Sequence, residues 1–247
     1  MKIDRMSSKY MNMMIMKKLY IETQSSKIYR YKNKIIKQVK KHSSYKNECD
    51  MLSVLKGEPN IISLQDTFYE GDYFNMIMDY YPTGDLQTSI KRKYIQLGED
   101  NYRIFINKLV DPIYRIHKKD IVHLDIKPAN YLHNYINDDY TLIDFNLAKR
   151  TKQQNYYSLN NTEVCGTSGY ISPEVYRGFY SKSSDIYSLG CILLNILQPG
   201  KTVDKIDFSK KILVSEISGL NRLIIECLQP NHNDRPTIYD IKNELQN

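Results

Sequence analysis

The chain has 247 residues, room for one two-lobed domain or two small ones, and its 41% of hydrophobic residues can build a sizeable core. The net charge is +7, but the lysines are dispersed rather than gathered in one basic block, so compositional drift accounts for the charge better than a nucleic-acid or lipid partner, although the basic surface leaves nucleic acid open. No stretch is long and apolar enough to cross a membrane, the methionine-rich start lacks a cleavage site, and four scattered cysteines without C-x-x-C spacing read as thiols of a reducing compartment, cytoplasm or nucleus (a host's, were the chain virus-encoded).

Taken in order, Leu19 to Ile21 and Ile28 to Tyr31 alternate like a strand pair around a polar turn. Lys34 to Lys40 alternates again, with Ile35 and Ile36 central. Tyr45 to Leu55 sets Met51, Leu52 and Leu55 at helical spacing, with Glu48 one turn before Leu52, and Gly57 and Pro59 stop the helix. Leu64 to Phe68 and Tyr73 to Met78 form a hairpin around Glu70-Gly71-Asp72. Further on, Ile106, Leu109, Val110, Ile113 and His117 share a helix face that Pro112 is expected to kink. Short strands around Tyr131-Leu132 and Tyr140 to Ile143 then bring Asp144 close to Asn130. Strands come first and helices after, which predicts an α+β chain.

The chemistry concentrates in His123-Leu124-Asp125-Ile126-Lys127-Pro128-Ala129-Asn130 and in Asp144-Phe145-Asn146. Two carboxylates, an amide and an amine are the equipment for moving a phosphoryl group, in which a hydroxyl is aimed and phosphate charge is neutralised by metal and lysine. Asp125 orients the hydroxyl and takes its proton, Lys127 meets the charge on the transferred group, and Asn130 and Asp144 offer the hard oxygens that Mg²⁺ prefers.

These two loops resemble the catalytic and metal-binding loops of eukaryotic-type Ser/Thr protein kinases. Other blocks occur in that family's order: Lys34-Ile35-Ile36-Lys37, Pro59-Asn60-Ile61-Ile62, Met78 to Leu86, Gly166-Thr167-Ser168-Gly169-Tyr170-Ile171-Ser172-Pro173-Glu174, Asp185 to Gly190, and Asp234-Arg235-Pro236. The resemblance implies one two-lobed kinase domain over residues 1–247, with a small antiparallel-sheet lobe carrying one helix at about 17–78, a hinge at about 79–84 and a mostly helical lobe at about 85–247. It implies that Lys37, with Lys34 and Lys40 as fallbacks, holds the nucleotide phosphates in an ion pair with Glu48. Ile28, Ile35, Met78 and Leu132 then surround the adenine, the backbone of Asp79 and Tyr81 bonds its edge, and Asp85 reaches the ribose. Thr167 couples to Asp125 and Lys127, and Arg235 pairs with Glu174. The implied cofactors are ATP and Mg²⁺, with Mn²⁺ as a substitute. The implied partner is a protein with a serine or threonine hydroxyl, no membrane is involved, and the chain is expected to be a monomer.

Four positions depart from the family pattern. The stretch Ile21 to Ile28 contains no glycine, which predicts weakened nucleotide affinity, because glycine lets a backbone approach phosphates. Asn146 stands where D-F-G has glycine, a mild change because Asn is the non-glycine residue that best tolerates left-handed backbone angles. Ile35 replaces a small residue over the adenine. Leu124 replaces the arginine that reads a phosphate on the activation segment, so alanine at Ser158 and Thr162 is expected to leave activity within a few fold. These changes keep a pseudokinase, a binding module with the same fold, as the alternative to an active enzyme.

Overall fold

The computed structural model describes residues 8–23, 26–40, 45–151, 157–158, 164–200, 203 and 214–246. The period-two patterning of the first third is satisfied by five antiparallel strands: β1 (Lys18–Glu22), β2 (Ser26–Tyr31), β3 (Lys34–Lys40), β4 (Asp66–Glu70) and β5 (Tyr73–Asp79), in the order β1-β2-β3-β5-β4. The register sets Ile35 opposite Met78 and Lys37 opposite Met76. Because side chains alternate along a strand, Ile35, Lys37 and Val39 face one side of the sheet and Ile36 the other. The hairpin strand β4 starts at Asp66, two residues later than the sequence pattern suggests.

The far side is covered by a helix that the sequence did not announce, α1 (Ser8–Met16). Tyr10 stacks on Phe68 with ring centroids 4.6 Å apart and an interplanar angle of 5°, and its hydroxyl bonds Asp66. Met13 and Met14 join the same cluster, beside Ile36 and Ile77. This helix precedes the span of about 17–78 expected for the small lobe, which keeps one helix of its own among the described residues. That one, α2 (Tyr45–Val54), buries Glu48, Met51 and Leu52, positions i, i+3 and i+4 of one face.

The rest is mostly helical. The helix α3 (Leu86–Lys91) is capped by Asp85, and α4 (Tyr102–Lys118) runs through the buried Pro112 rather than ending there. Helices α5 (Pro173–Tyr176), α6 (Lys182–Leu197), α7 (Ser218–Cys227) and α8 (Ile238–Gln246) follow. Gly190 lets α6 and α7 touch: a Cβ there would lie 2.8 Å from the Cβ of Cys227. Three two-stranded ribbons organise the loops: β6 (Ile121–Val122) with β9 (Lys149–Arg150), β7 (Tyr131–Asn134) with β8 (Asp139–Leu142), and β10 (Tyr157–Ser158) with β11 (Phe179–Tyr180). The Asn60-Ile61-Ile62 stretch ties to β8, with Leu142 N–H donating to Asn60 O at 2.9 Å and Ile62 N–H to Leu142 O at 3.0 Å. One core cluster runs from Met51 and Leu52 of α2 to Ile238 and Ile241 of α8, joining the two lobes. Among the described residues no helix is long and apolar enough to cross a membrane.

Candidate active site

A cleft of about 410 Å³ opens between the sheet and the helical part. Its lining includes Ile28, Ile35, Met78 and Leu132 as the apolar slot, Asp79, Tyr81 and Asp85 along the connecting segment, and Lys37, Glu48 and Asp144 at the polar end. Lys37 Nζ donates to both oxygens of Glu48, at 2.9 and 2.8 Å, and to Asp144 Oδ1 at 2.7 Å. Lys34 is instead paired with Asp79 across the β3–β5 ladder at 2.7 Å. Burial opposes the Lys37 ammonium, but the carboxylates of Glu48 and Asp144 outweigh it and lift its pKa above the ordinary lysine value. Burial likewise opposes the Asp144 carboxylate, and Lys37 nonetheless holds its pKa below the ordinary value, with smaller help from His123 and Lys127. Asp85 has a second duty: its Oδ1 caps α3, accepting from Thr88 N–H at 2.8 Å and from Thr88 Oγ1 at 2.6 Å.

The loop after β6 builds a second cluster. Lys127 Nζ donates to Asp125 Oδ2 and to Thr167 Oγ1, and Thr167 Oγ1 donates to Asp125 Oδ1, all three at 2.7 Å. Asn130 Nδ2 donates to the backbone oxygen of Asp125 at 2.8 Å and to its Oδ2 at 3.2 Å. The loop is fixed from below by Asp185, wholly buried, which accepts from the backbone of His123 at 2.8 Å and of Leu124 at 2.9 Å and bonds His117 Nε2 at 2.9 Å. His123 accepts the Asp125 N–H at Nδ1 and reaches Ile143 O through Nε2 at 3.0 Å, a pairing that suits the neutral ring with its proton on Nε2. Burial lowers its pKa accordingly.

Farther along, Arg235 and Glu174 meet in a bidentate pair at 2.7 and 2.9 Å. The other guanidinium donors go to Gln229 O, Ser183 O and Pro230 O, so this buried charge is fully hydrogen-bonded. The family described as "protein kinase domain" matches residues 16–245. The chain belongs to the protein kinase domain family. The chain is 30% identical over 245 residues to a serine/threonine-protein kinase MPS1 of Encephalitozoon cuniculi, covering 92% of this chain and 40% of that protein. It is 31% identical over 222 residues to a probable serine/threonine-protein kinase nek3 of Dictyostelium discoideum, covering 83% and 19%. Calcium-dependent protein kinase 27 of Arabidopsis thaliana is 31% identical over 162 residues, covering 64% and 32%. The chain thus spans well under half the length of these curated relatives.

Within that kinase domain the departures from pattern acquire structure. The turn between β1 and β2 is closed on itself: Thr23 N–H donates to Ser26 O at 2.8 Å and Ser26 N–H to Thr23 Oγ1 at 3.0 Å. Gln24 and Ser25, at its tip, lie outside the described residues, as does Thr162. Both Thr23 and Ser26 line the cleft. Asn146 does not draw on that tolerance. Asn146 sits in a right-handed 3₁₀ turn, Phe145–Leu147, and the left-handed residue is Asp144, at φ 67° and ψ 70°. Leu124, also left-handed at φ 64°, is buried with Val122, Val175 and Tyr180, and Leu147, Tyr157, Cys165 and Ile171 pack against them. Where the family pattern has a charge, this chain has an apolar seam.

Asn47 had no signal in the sequence. It precedes Glu48 on α2, and its Nδ2 donates to the backbone oxygens of Asn146 and Ala148, both at 2.9 Å. Tyr20, another unforeseen cleft residue, meets Tyr80 edge to face at 5.9 Å. Neither position carries a motif, because each acts through folded geometry alone.

Proposed function

We propose that the chain is an ATP-dependent serine/threonine protein kinase. The observation that carries this reading is the Lys37 ammonium held simultaneously by Glu48 and Asp144, while Asp125, Lys127 and Thr167 close a separate triangle. Adenine lies in the slot of Ile28, Ile35, Met78 and Leu132, with its edge on the backbone of Asp79 and Tyr81, and Asp85 offers its remaining oxygen to the ribose. Lys37 meets the α- and β-phosphates.

The donor set suits a hard divalent cation. Asn130 has committed its nitrogen to Asp125, which leaves Oδ1 for a metal, and Asp144 has a second carboxylate oxygen beyond the one on Lys37. Two protein oxygens are a typical share for Mg²⁺, which prefers to complete its shell with phosphates and water. When bound, Mg²⁺ (or Mn²⁺) neutralises charge on the phosphates. Asp125 orients the serine or threonine hydroxyl and accepts its proton as the oxygen attacks the γ-phosphorus. The bond from that phosphorus to the β-phosphate oxygen breaks, and ADP leaves with the electron pair. Lys127 faces the transferred group, and Thr167 holds both Lys127 and Asp125 in register.

The test is radiolabelled-phosphate transfer from Mg-ATP to a basic protein substrate, wild type beside Asp144→Asn. Transfer by the wild type and loss in the variant support the reading. No transfer by a folded wild type makes the chain a kinase-shaped binding module.

A further inference from the structure

Two neighbouring residues of α2 reach the metal-binding loop by different routes. Glu48 reaches it mainly through Lys37, which spans to Asp144, with a lesser direct bond from the Phe145 backbone. Asn47 reaches it directly, with Nδ2 hydrogen bonds to Asn146 O and Ala148 O at 2.9 Å and a longer contact of 3.5 Å to Phe145 O. Asn146 O and Ala148 O lie at the end of the 3₁₀ turn that follows Asp144, where backbone acceptors run out of partners within the turn, whereas Phe145 O already accepts the Ala148 N–H at 3.2 Å. The contacts close a ring: Glu48 to Lys37, Lys37 to Asp144, along the backbone to Asn146, across to Asn47, and back to Glu48. Asp144 is the one member of that ring in a left-handed conformation, uncommon for a non-glycine residue although Asp and Asn tolerate it best. Phe145 is fully buried and packs edge-on against His123 at 4.8 Å, which pins the turn from the other side.

We propose that Asn47 is a positioning residue for phosphoryl transfer: by clasping the turn after Asp144 it makes α2 and the metal-binding loop one rigid unit, with the Asp144 carboxylate turned toward the cleft. The proposal rests on the kinase reading for its function and on the hydrogen bonds alone for its mechanics. Residues that hold a metal ligand through a second layer of hydrogen bonds change metal affinity or activity by about 10–100-fold when removed. With Leu124 in place of a charge, the clasp supplies order that no phosphate on the activation segment needs to bring.

The test uses Asn47→Leu, similar in volume but without a donor, and Asn47→Asp, equal in shape but with an acceptor facing three carbonyls. Lys46→Ala, exposed on the same helix, is the control. Hydrogen exchange on the nucleotide-free protein is read first. Amides of 145–148 exchange about ten-fold faster or more in both Asn47 variants, with α6 unchanged. Next, thermal shift is measured with ADP alone and with ADP plus Mn²⁺. The variants keep the shift from ADP and lose the increment from the metal. In the transfer assay kcat falls about 10–100-fold with KM for the protein substrate unchanged. Variants that exchange like the wild type and keep the metal increment overturn the proposal. Faster exchange in the variants of a wild type that transfers no phosphate leaves the clasp standing and removes the kinase reading instead. Should Asn47→Leu fail to fold, Asn47→Asp carries the same readouts.

Discussion

The loop cluster that stands apart from the cleft lining, here the floor, and the β1–β2 turn that borders the cleft, here the roof, obey different rules. The floor, Asp125, Lys127, Asn130 and Thr167, is an array of side chains whose polar atoms bond one another at 2.7 to 3.2 Å, standing on the buried Asp185. The roof, the β1–β2 turn, has every described strand residue of β1 exposed and satisfies its own backbone through Thr23 and Ser26. Chemistry on the floor needs particular functional groups at particular places, so the residues are held. A roof that contributes mainly backbone can be rebuilt from other residues, provided its polar groups find partners. The difference teaches that the missing glycines say less about activity than the intact floor does.

Four experiments can break or sharpen that contrast. The largest effect is expected on the floor: Asp125→Asn lowers kcat by about 10²–10⁴-fold in the transfer assay, as removal of a general base does, and an unchanged rate ends the assignment. Next comes its support. Arg235→Met strands the Glu174 carboxylate in a buried site and costs about 3–5 kcal/mol in urea unfolding, whereas replacing both partners with apolar residues restores much of it.

Acid attacks the same supports in two steps. His123 is held neutral by burial, with its folded pKa below 6.5, so the unfolded chain takes up the proton more readily and stability falls as pH drops beneath about 6.5. Burial opposes the Glu174 carboxylate, but Arg235 holds its pKa below 4.5; its contribution is full above that value and is lost as pH falls through the depressed one. A Tm measured against pH should therefore be flat from about 6.5 to the ordinary thiol value of about 9, decline below 6.5 and drop again under about 4.5. A Tm that rises on acidification over that lower range would contradict both assignments.

The roof should respond least. Replacing Thr23 and Ser26 together by glycine frees backbone N–H for phosphate, and we expect KM for ATP to fall about three-fold, since one charge-assisted hydrogen bond of about 1.5–3 kcal/mol is offset by glycine entropy. A hundred-fold change in either direction would show that the roof matters as much as the floor.

Most of the floor was legible because the phosphoryl transfer proposed for it demands residue types at fixed spacing. Asp125, Lys127 and Asn130 lie within six positions, and Asp144 follows one short ribbon later. The strands β1 to β3 and the helix α2 were legible from alternation and from Met51 and Leu52 at helical spacing. The helix α1 was not, because its run Met13-Met14-Ile15-Met16 is apolar all round and hides which side is buried; among the described side chains Tyr10, Met13 and Met14 turn inward. The backbone at Asn146 was hidden for a different reason. The sequence shows which residue replaces a glycine but not whether the position still needs a left-handed backbone, and here the neighbour Asp144 takes that conformation. Asn47 stayed silent because an asparagine on a helix usually marks nothing; its partners lie about a hundred positions away.

Leu124 carries one more consequence. A segment fastened by a phosphate on an arginine is fastened by charge, and dissolved ions loosen such a joint within a Debye length of about 8 Å at physiological ionic strength. The seam of Leu124, Val175 and Tyr180 is fastened by exclusion of water, to which salt is nearly indifferent and which chilling weakens. This seam should therefore hold its segment in strong brine and lose its grip first in the cold.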